Sequence, residues 1–356
     1  MNYIGSKLSL LKFLEESINK VVDKNSRVFC DLFAGTGAVG AYFKKKGYSV
    51  IANDLQYYSY ILNKHYIENH RVLKFDGLVD IIPELKNIKL SERKDAVCDY
   101  LSDITVVNGF IFKNYCPGGT KGKKEQRQYF SDENGKKCDA IRQKIENWKI
   151  KKAITGGEYY FLLASLIESI DKCANTASVY GAFLKQIKKS ARKIFTLKPA
   201  ELIINDQNHR VYNKDINKLI KTVKGDVLYL DPPYNQRQYA TNYHVLETIA
   251  KYDNPSIHGK TGLRDYEDQK SAYCSRVQVK KTFKDLIDNA NVRYIFLSYN
   301  NEGLMTPEDI KEIMGTRGKY GFFTQKYNRF KADKGRIYKA KNTVEFLHYV
   351  ICGKNL

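Results

Sequence analysis

The chain has 356 residues, enough for one large domain or two of ordinary size around a sizeable hydrophobic core. Its 60 Lys and Arg residues exceed its 39 Asp and Glu residues, and the net charge of +21 favours a polyanionic partner such as nucleic acid. No stretch approaches the roughly 20 apolar residues of a membrane span, and seven scattered cysteines without a C-x-x-C pair argue against a zinc site or disulfide framework, so we expect a cytoplasmic protein without a membrane partner.

Three segments share the pattern of an apolar strand, a turn with an acid or glycines, and a helix. The first predicts a strand at 27–32, the turn DLFAGTG and a helix at 37–45, and the second predicts a strand at 48–52, the pair Asn53 and Asp54, and another helix. The third, HRVYNKDINKLIKTVKGDVLYLDPPY, gives a strand, an acid, a helix and a strand. Because a helix joins successive strands, the sheet should be parallel here.

Residues 71–200 do not follow this pattern. A polar loop rich in Gly and Lys precedes the amphipathic helices CDAIRQKIENWKI and GEYYFLLASLIESIDKCA. We interpret this stretch as an inserted, mainly helical subdomain, with the catalytic domain formed by residues 1–70 and 201–356. Residues 105–200 hold 19 basic and 8 acidic residues, a concentration of charge that indicates phosphate binding.

The remainder of the chain predicts helices at 243–251, 277–289 and 307–314 and a strand at 293–300. Two closing strands, at 321–329 and 343–351, look like an antiparallel hairpin around a second basic block. Residues 311–356 hold 11 basic and 3 acidic residues. The predicted fold class is therefore α/β, an open sheet with an antiparallel C-terminal hairpin.

The turn DLFAGTG has the general composition of a nucleotide site. Its glycines let a ligand approach the backbone and leave helix amide donors pointing outward. It has neither G-x-G-x-x-G nor G-K-[ST], and an acid precedes the glycines instead, which suits a ligand with a positively charged amino group. Asp54, after the second strand, is placed to accept hydrogen bonds from ribose hydroxyls. An adenosine that carries an amino acid satisfies both acids.

The segment LYLDPPY ends a strand at an acid. Two consecutive prolines cannot donate to a sheet or continue a helix, and the first restrains Asp231 to extended geometry, so the strand ends there. This turn brings a carboxylate, a backbone carbonyl and the ring of Tyr234 within a few ångströms of one another.

The motifs DLFAGTG, ANDL and DPPY, in this order and preceded by NYIGSK, resemble the D12-class (alpha group, Dam-like) DNA adenine-N6 methyltransferases of the type II restriction-modification kind. The resemblance covers nearly the whole chain, including RQYFSDENGKKCDAIRQKIENW and NTASVYGAFLK in the insert. It implies a Rossmann-like methyltransferase sheet with the insert as target-recognition subdomain. It also implies methyl transfer from S-adenosylmethionine to the N6 amino group of a flipped-out adenine in duplex DNA.

The resemblance also implies a set of cofactor-binding residues. Lys7 would pair with the carboxylate of S-adenosylmethionine and Asp31 with its amino group, while Asp206 competes with Asp215 for the adenine. The residues implied are Tyr3, Lys7, Asp31, Phe33, Gly35, Thr36, Gly37, Asp54, Leu55, Asp215 and Ile216.

Catalysis is expected at Asp231, Pro232, Pro233 and Tyr234. If the Asp231 carboxylate and the Pro232 carbonyl each accept one N–H of the adenine amine, the nitrogen is drawn toward sp³ geometry and its lone pair turns toward the methyl group. The base must leave the duplex, and the Tyr234 ring can stack on it. Methyl transfer needs no metal.

Double-stranded DNA is the expected partner, and a cognate restriction endonuclease would act on the same site, unless the enzyme is an orphan. An RNA adenine methyltransferase is the alternative, since DPPY also occurs there, but the basic insert and YIGSK favour DNA. We expect a monomer; the recognition sequence cannot be read from the chain. The residues expected to contact DNA are Arg127, Arg237, Tyr239, Asn242, Arg329, Lys331 and Arg336.

Overall fold

The computed structural model describes residues 3–328 and 342–353. The chain divides into two compact units. The sheet unit comprises Ile4–Asn63, Asn205–Tyr239 and Asp268–Leu356, and the helical unit comprises Met1–Tyr3, Lys64–Ile204 and Ala240–Glu267. The stretch 71–200 thus lies in the helical unit, which also takes in a segment that follows the DPPY motif.

Every helix predicted from the sequence is present, and the structure adds helices at 11–19, 93–102, 110–115, 117–120, 189–192 and 239–242 that were not predicted. In chain order, the α-helices of the described residues are α1 (Leu11–Asn19), α2 (Ala38–Lys45), α3 (Tyr57–Asn63), α4 (Arg93–Ser102), α5 (Phe110–Tyr115), α6 (Pro117–Thr120), α7 (Asp132–Ile150), α8 (Gly156–Lys172), α9 (Lys189–Arg192), α10 (Ile216–Leu219), α11 (Tyr239–Asn242), α12 (His244–Lys251), α13 (Val279–Asp288) and α14 (Pro307–Gly315).

The strands fall into one large sheet and one short ribbon. In chain order they are β1 (Val28–Asp31), β2 (Ser49–Asn53), β3 (Arg210–Tyr212), β4 (Lys224–Leu230), β5 (Ile257–His258), β6 (Leu263–Arg264), β7 (Asn291–Asn300), β8 (Gly318–Asn328) and β9 (Asn342–Cys352). Strands β5 and β6 form the ribbon, and the other seven form the sheet in the order β3-β2-β1-β4-β7-β9-β8.

The large sheet confirms the predicted α/β architecture. Strands β3, β2, β1, β4 and β7 pair in parallel, whereas β9 pairs antiparallel with both β7 and β8. The chain builds outward from β1 through β2 to β3 and then returns to place β4 on the other side of β1. Ligands of open α/β sheets bind at the carboxyl ends of the strands where the order reverses in this way. Those ends are here Asp31 in β1 and Asp231 after β4.

Both faces of the sheet are covered, which explains why the strands are continuously apolar. Along β4, Val227 and Tyr229 face a core formed with α1 and α2, while Leu228 and Leu230 face a second core formed with α10, α13 and α14. This alternation follows from the two-residue period of a strand. The sheet is therefore held rigidly from both sides, so its carboxyl edge is a firm base for a site.

The helical unit has a core of its own around α7 and α8. Helix α7 begins at the N-cap Ser131, and α8 begins with a capping box between Thr155 and Glu158. The Glu158 side chain also accepts the backbone amide of Phe75, so this cap joins α8 to a preceding loop. Among the described residues, none of the helices combines the length and the apolar character that crossing a bilayer requires.

Candidate active site

Asp31 ends β1 and carries an incompletely satisfied carboxylate. Its side chain is 1% exposed, and Oδ2 accepts the Gly40 amide at 3.0 Å. Oδ1 is buried and has no hydrogen-bond partner among the residues that the structure describes. Burial raises the pKa of Asp31 to about 8, and the charges of Asp231 and Asp54 add to this effect. A ligand ammonium group would satisfy the orphaned oxygen and return the carboxyl group to its ionised form.

The glycine turn after Asp31 is shaped by backbone that only glycine adopts readily. Gly37 has φ +80° at the N-cap of α2, and a Cβ there would lie 2.9 Å from the Asn63 Oδ1 atom. Asn63 donates from Nδ2 to the carbonyls of Gly35 and Ser59 at 3.0 and 2.8 Å. The end of α3 therefore holds the turn, with the predicted cofactor residue Thr36 half-buried between the two glycines.

Asp54 follows β2 and closes the turn from the other side. Its Oδ2 accepts the Gly35 amide at 2.8 Å, and its Oδ1 accepts the Gln56 amide at 2.9 Å. The two bonds fix the Asp54 carboxylate beside the glycine turn. Leu55 is half-buried beside it, and its carbonyl accepts Asn213 Nδ2 at 3.0 Å.

Asn53 joins the loops that follow three neighbouring strands. Its Nδ2 donates to the carbonyls of Leu32 and Lys214 at 3.2 and 3.1 Å, and its Oδ1 accepts the Lys214 amide at 3.0 Å. This buried amide holds the β1 and β3 loops against the end of β2. It is a positioning residue that the sequence analysis noted only as the neighbour of Asp54.

The topology separates Asp215 from its competitor Asp206. Asp215 follows the carboxyl end of β3 and caps α10, where its Oδ1 accepts the Lys218 amide at 3.0 Å. Asp206 precedes β3, next to Asn205, whose side chain donates to the Lys44 carbonyl at the end of α2. Because β3 pairs in parallel with β2, its carboxyl end lies beside the carboxyl ends of β2 and β1. Asp215 therefore lies at the same end of the strands as Asp31 and Asp54, whereas Asp206 lies at the opposite, amino end.

An aromatic contact lies on the same edge. Phe33, half-buried after β1, meets the edge of the buried Tyr273 ring with centroids 4.9 Å apart, and Tyr273 donates to Asn217 Oδ1 at 2.9 Å. Ile216, which begins α10, is buried in the core. Tyr273 was not anticipated, because nothing in SAYCSRVQV distinguishes it from the other tyrosines.

The catalytic turn contains a buried three-charge cluster. Lys7 Nζ lies 3.1 Å from Asp231 Oδ1 and 2.8 Å from Glu345 Oε1. Lys7 and Glu345 are 5% and 1% exposed, whereas Asp231 is 17% exposed and so is the member that a ligand can reach. The family resemblance implied that Lys7 pairs with the carboxylate of the cofactor. In the structure its ammonium group lies between two protein carboxylates, which already compensate its charge.

The cluster shifts the protonation of its members. Burial raises the pKa of Asp231 to about 6, with the Lys7 ammonium opposing this shift and the Glu345 charge adding to it. Burial alone would lower the pKa of Lys7, but the charges of Asp231 and Glu345 hold that pKa well above its ordinary value. The two carboxylate charges thus keep Lys7 protonated, and burial brings the pKa of Asp231 closer to neutrality than that of an ordinary aspartate.

Tyr234 lies against this cluster. Its ring is 5.9 Å from Lys7 Nζ and meets the Tyr299 ring edge-on, with centroids 6.4 Å apart. Pro232 is buried, Pro233 is half-buried, and Tyr234 is half-buried, so its ring remains accessible. These contacts fix the ring in the same turn as the Asp231 carboxylate.

The segment YIGSK packs on the loop after the catalytic motif. Gly5 has φ +81°, and a Cβ there would lie 2.9 Å from the Tyr239 hydroxyl and 3.9 Å from the Tyr234 hydroxyl. Tyr239 donates to the Ile4 carbonyl at 3.3 Å. Tyr239, predicted to contact DNA, thus has a role in holding this segment. Tyr3 belongs to the helical unit, where its ring stacks on Tyr243 at 4.8 Å.

The predicted DNA-binding residues differ in their surroundings. Arg127 is 7% exposed and donates to the carbonyls of Lys260, Gly259 and Asn114, so it joins two loops of the helical unit and is not available to read bases. Arg237 is exposed after the catalytic turn.

The remaining predicted DNA contacts are Asn242 and three basic residues near the C-terminus. Asn242 is half-buried in the helical unit, where its carbonyl accepts the Tyr180 amide. Arg329, Lys331 and Arg336 lie outside the described residues.

Glu345 is the functional candidate that sequence reasoning missed. It lies in β9 opposite Asn300 of β7, within the largely hydrophobic run TVEFLHYVI. An acid among the hydrophobic residues of a predicted strand was the available signal, but its partner Lys7 comes from the opposite end of the chain.

Comparison with known proteins identifies the family of the chain. The family described as D12 class N6 adenine-specific DNA methyltransferase matches residues 3–313. Type II methyltransferase M.NlaIII of Neisseria lactamica is 50% identical over 98% of both chains. Type II methyltransferase M.FokI of Planomicrobium okeanokoites and modification methylase StsI of Streptococcus sanguinis are 40% and 36% identical over 98% of this chain, which spans 52% of each. These findings do not favour the RNA alternative, and the chain belongs to the D12 class of N6 adenine-specific DNA methyltransferases.

Proposed function

We propose that the chain is a site-specific, adenine-specific DNA methyltransferase that transfers a methyl group from S-adenosylmethionine to the N6 amino group of an adenine in duplex DNA. One observation supports this most strongly. The ends of the adjacent strands β1 and β4 present two carboxyl groups. Asp31 has a buried oxygen without a hydrogen-bond partner among the described residues, and Asp231 is the reachable member of the charge cluster. One strand end therefore suits a cationic amino group, and the next suits an amine that donates N–H.

The carboxyl edge from β3 to β1 has groups that match the cofactor. Asp31 suits the amino group, Asp54 the ribose hydroxyls, and Phe33, Asp215 and Ile216 the adenine ring and its edge. The turn Gly35, Thr36 and Gly37, together with Leu55, would line the bound molecule. S-adenosylmethionine supplies a methyl group on a sulfonium, and this chain binds and orients it. The assignment of Tyr3 to the methionine end remains a prediction.

Asp231 and Pro232 would prepare the attacking nitrogen. The carboxylate and the carbonyl accept the two N–H donors, which turns the nitrogen lone pair toward the methyl group. A nitrogen–carbon bond forms as the carbon–sulfur bond breaks, sulfur becomes a neutral thioether, and the nitrogen is left with one proton to lose. The Asp231 carboxylate, whose pKa of about 6 is raised above the ordinary value, can accept that proton.

Tyr234 would hold the extruded base. Unstacking an adenine from a duplex costs a few kcal/mol, and stacking on an aromatic side chain returns roughly 1–3 kcal/mol. Because Tyr234 is fixed by Lys7 and Tyr299, little side-chain entropy is lost when the base arrives. Pro233 keeps the turn between carboxylate and ring short.

The helical unit would bind the DNA target. Gln128 Nε2 donates to the carbonyls of Leu184 and Lys185 at 2.7 and 2.6 Å, so the loop at 121–128 adjoins the segment at 184–193. Exposed basic side chains of these two segments can contact phosphates, and Arg237 of the sheet unit is a further exposed candidate. The exposed basic residues of the two segments are Lys121, Lys123, Lys124, Lys185, Lys189, Arg192 and Lys193.

The biological role that we propose is protection of cellular DNA from a restriction endonuclease of the same specificity. This role follows from the type II restriction-modification methyltransferases that the chain resembles, and it puts the enzyme where the cell's DNA is. We propose that it works as a monomer, since one chain carries the whole catalytic turn and the cofactor edge.

Transfer of a labelled methyl group tests the function directly. The purified chain, S-adenosylmethionine with a tritiated methyl group, and either duplex DNA or ribosomal RNA are incubated, and the nucleosides are separated. Label should appear in N6-methyladenine of the duplex, and Asp231→Ala should abolish it while DNA binding persists. Label in cytosine, in RNA alone, or in neither substrate would refute the proposal. Single-molecule sequencing of the product would identify the target sequence.

A further inference from the structure

We infer that Glu345 is a positioning residue for methyl transfer, whose negative charge offsets that of Lys7 and so keeps the Asp231 carboxylate a strong acceptor for the adenine amine. The inference rests on the proposed function of Asp231. It concerns a residue that does not itself touch the substrate.

The surroundings of Glu345 are hard to explain as a stabilising ion pair. Its side chain is 1% exposed, its Oε1 lies 2.8 Å from the Lys7 ammonium, and within the described part of the chain its carboxylate oxygens have no recorded hydrogen bond beside this ion pair. A buried charge pair gains little stability, because the cost of desolvation approaches the Coulombic attraction. A carboxylate kept buried with one partner therefore calls for a role in the site that this partner serves.

The geometry shows what that role is. Lys7 is shared between two carboxylates, 3.1 Å from Asp231 Oδ1 and 2.8 Å from Glu345 Oε1. Without Glu345, the whole positive charge of Lys7 would act on Asp231. That charge would compete with the N–H of adenine for the carboxylate and would make it a poorer acceptor of the proton that the methylated nitrogen must lose. The negative charge of Glu345 offsets part of the positive charge of Lys7, while Lys7 continues to hold Asp231 in position.

Other groups around Asp231 do not replace this effect. Tyr229 and Tyr234 are neutral, because burial raises the pKa of each hydroxyl above its ordinary value. Asp31 would be neutralised by the ammonium of a bound cofactor. The charged or titratable groups that face Asp231 are Lys7, Glu345, Asp31, Tyr229 and Tyr234.

The test replaces the charge and keeps the shape. In Glu345→Gln an amide oxygen can still accept from Lys7, so the turn keeps its geometry. We expect kcat to fall about tenfold, less than the loss of about 100-fold or more on removing a group that contacts the reacting atom, with KM for DNA and cofactor affinity unchanged. Removing the Glu345 charge lowers the pKa of Asp231, so the acidic limb of the kcat profile should move to lower pH.

A second measurement monitors the protonation of the Asp231 carboxyl group directly. In enzyme labelled with carbon-13 at the aspartate carboxyls, the Asp231 resonance is assigned by its loss in Asp231→Asn. Its titration midpoint should lie at lower pH in Glu345→Gln than in the unaltered enzyme. A midpoint and a limb that do not move would overturn the inference, because a merely structural role would lower stability without shifting either.

Glu247 of α12 provides a matched control. It is also 1% exposed and has a lysine partner, with Lys251 Nζ 3.2 Å from its Oε1, but it belongs to the helical unit. Glu247→Gln should leave the acidic limb in place, and an equal shift in this variant would also overturn the inference.

A further pair of variants keeps the test decisive if Glu345→Gln does not fold. Replacing a buried ion pair by apolar residues is often neutral or stabilising, so Lys7→Met/Glu345→Met should fold. Its acidic limb should lie at lower pH than that of Lys7→Met, and coincident limbs would overturn the inference. Failure of the unaltered enzyme to methylate adenine would instead refute the proposed function.

Discussion

Asp31→Asn should make the cofactor-free enzyme respond differently to pH and should abolish cofactor binding. Burial raises the pKa of Asp31 to about 8, compared with about 3.9 for an aspartate in an unfolded chain. The folded protein therefore binds one more proton than the unfolded chain between these values. Stability falls as pH rises through this window, and it is highest below the unfolded pKa. An asparagine does not titrate and removes this dependence.

The magnitude follows from the width of the window. One pH unit corresponds to about 1.4 kcal/mol for one proton, so between pH 5.5 and 7.5 the unfolding free energy of the wild type should fall by about 2.7 kcal/mol relative to that of Asp31→Asn. This difference is independent of any constant cost of burying the amide, because that cost is the same at both pH values. The fall of about 2.7 kcal/mol is an upper bound, since water entry and relaxation around a buried charge reduce it.

The assay is urea unfolding of both proteins without cofactor, followed by circular dichroism at the two pH values. Isothermal titration with S-adenosylmethionine should show binding to the wild type with release of about one proton at pH 7, and no binding to Asp31→Asn. Asp226→Asn is the control, because this carboxylate accepts the amides of Arg27 and Val28 at the amino end of β1. A pH-independent stability difference, or cofactor binding by Asp31→Asn, would refute the reasoning.

Three further predictions concern the turn, the base and the helical unit. Gly37→Ala should weaken cofactor binding and lower the unfolding free energy by about 1–2 kcal/mol, because a φ of +80° is strained for alanine and the new Cβ would meet Asn63. An unchanged cofactor affinity in calorimetry would contradict this prediction. Tyr234→Ala should reduce kcat/KM more on duplex DNA than on DNA mismatched at the target, and equal losses would argue against stacking. Arg127→Ala should lower the Tm by removing three hydrogen bonds from its guanidinium group to backbone carbonyls, without changing the slope of DNA affinity against salt, whereas Lys124→Ala should reduce that slope.

The residues expected to carry the chemistry lie in short motifs that can be recognised in the sequence. Asp31 and Asp231 could each be placed near a strand end from the residues beside them, because strands end where the chain runs into glycines or prolines. Asp54 could be placed after the second strand from the apolar run that precedes it. Parallel pairing then brings the ends of successive strands to one edge. Most helices and strands of the sheet unit were likewise predictable, since apolar periodicity is a local property that burial in the sheet preserves. The short helices α4, α5, α6 and α9 and the ribbon of β5 and β6 in the helical unit were not predicted.

Only the tertiary structure decided which side chains act together. Lys7 and Glu345 come from opposite ends of the chain, and their pairing depends on β9 entering the sheet beside β7. Asp206 and Asp215 look equivalent in sequence, but the direction of β3 puts them at opposite edges. Arg127 has the charge of a DNA-binding residue, yet its burial among carbonyls gives it a structural role. In each case the outcome depends on distance and desolvation, which are set by residues remote in sequence and cannot be read from local pattern.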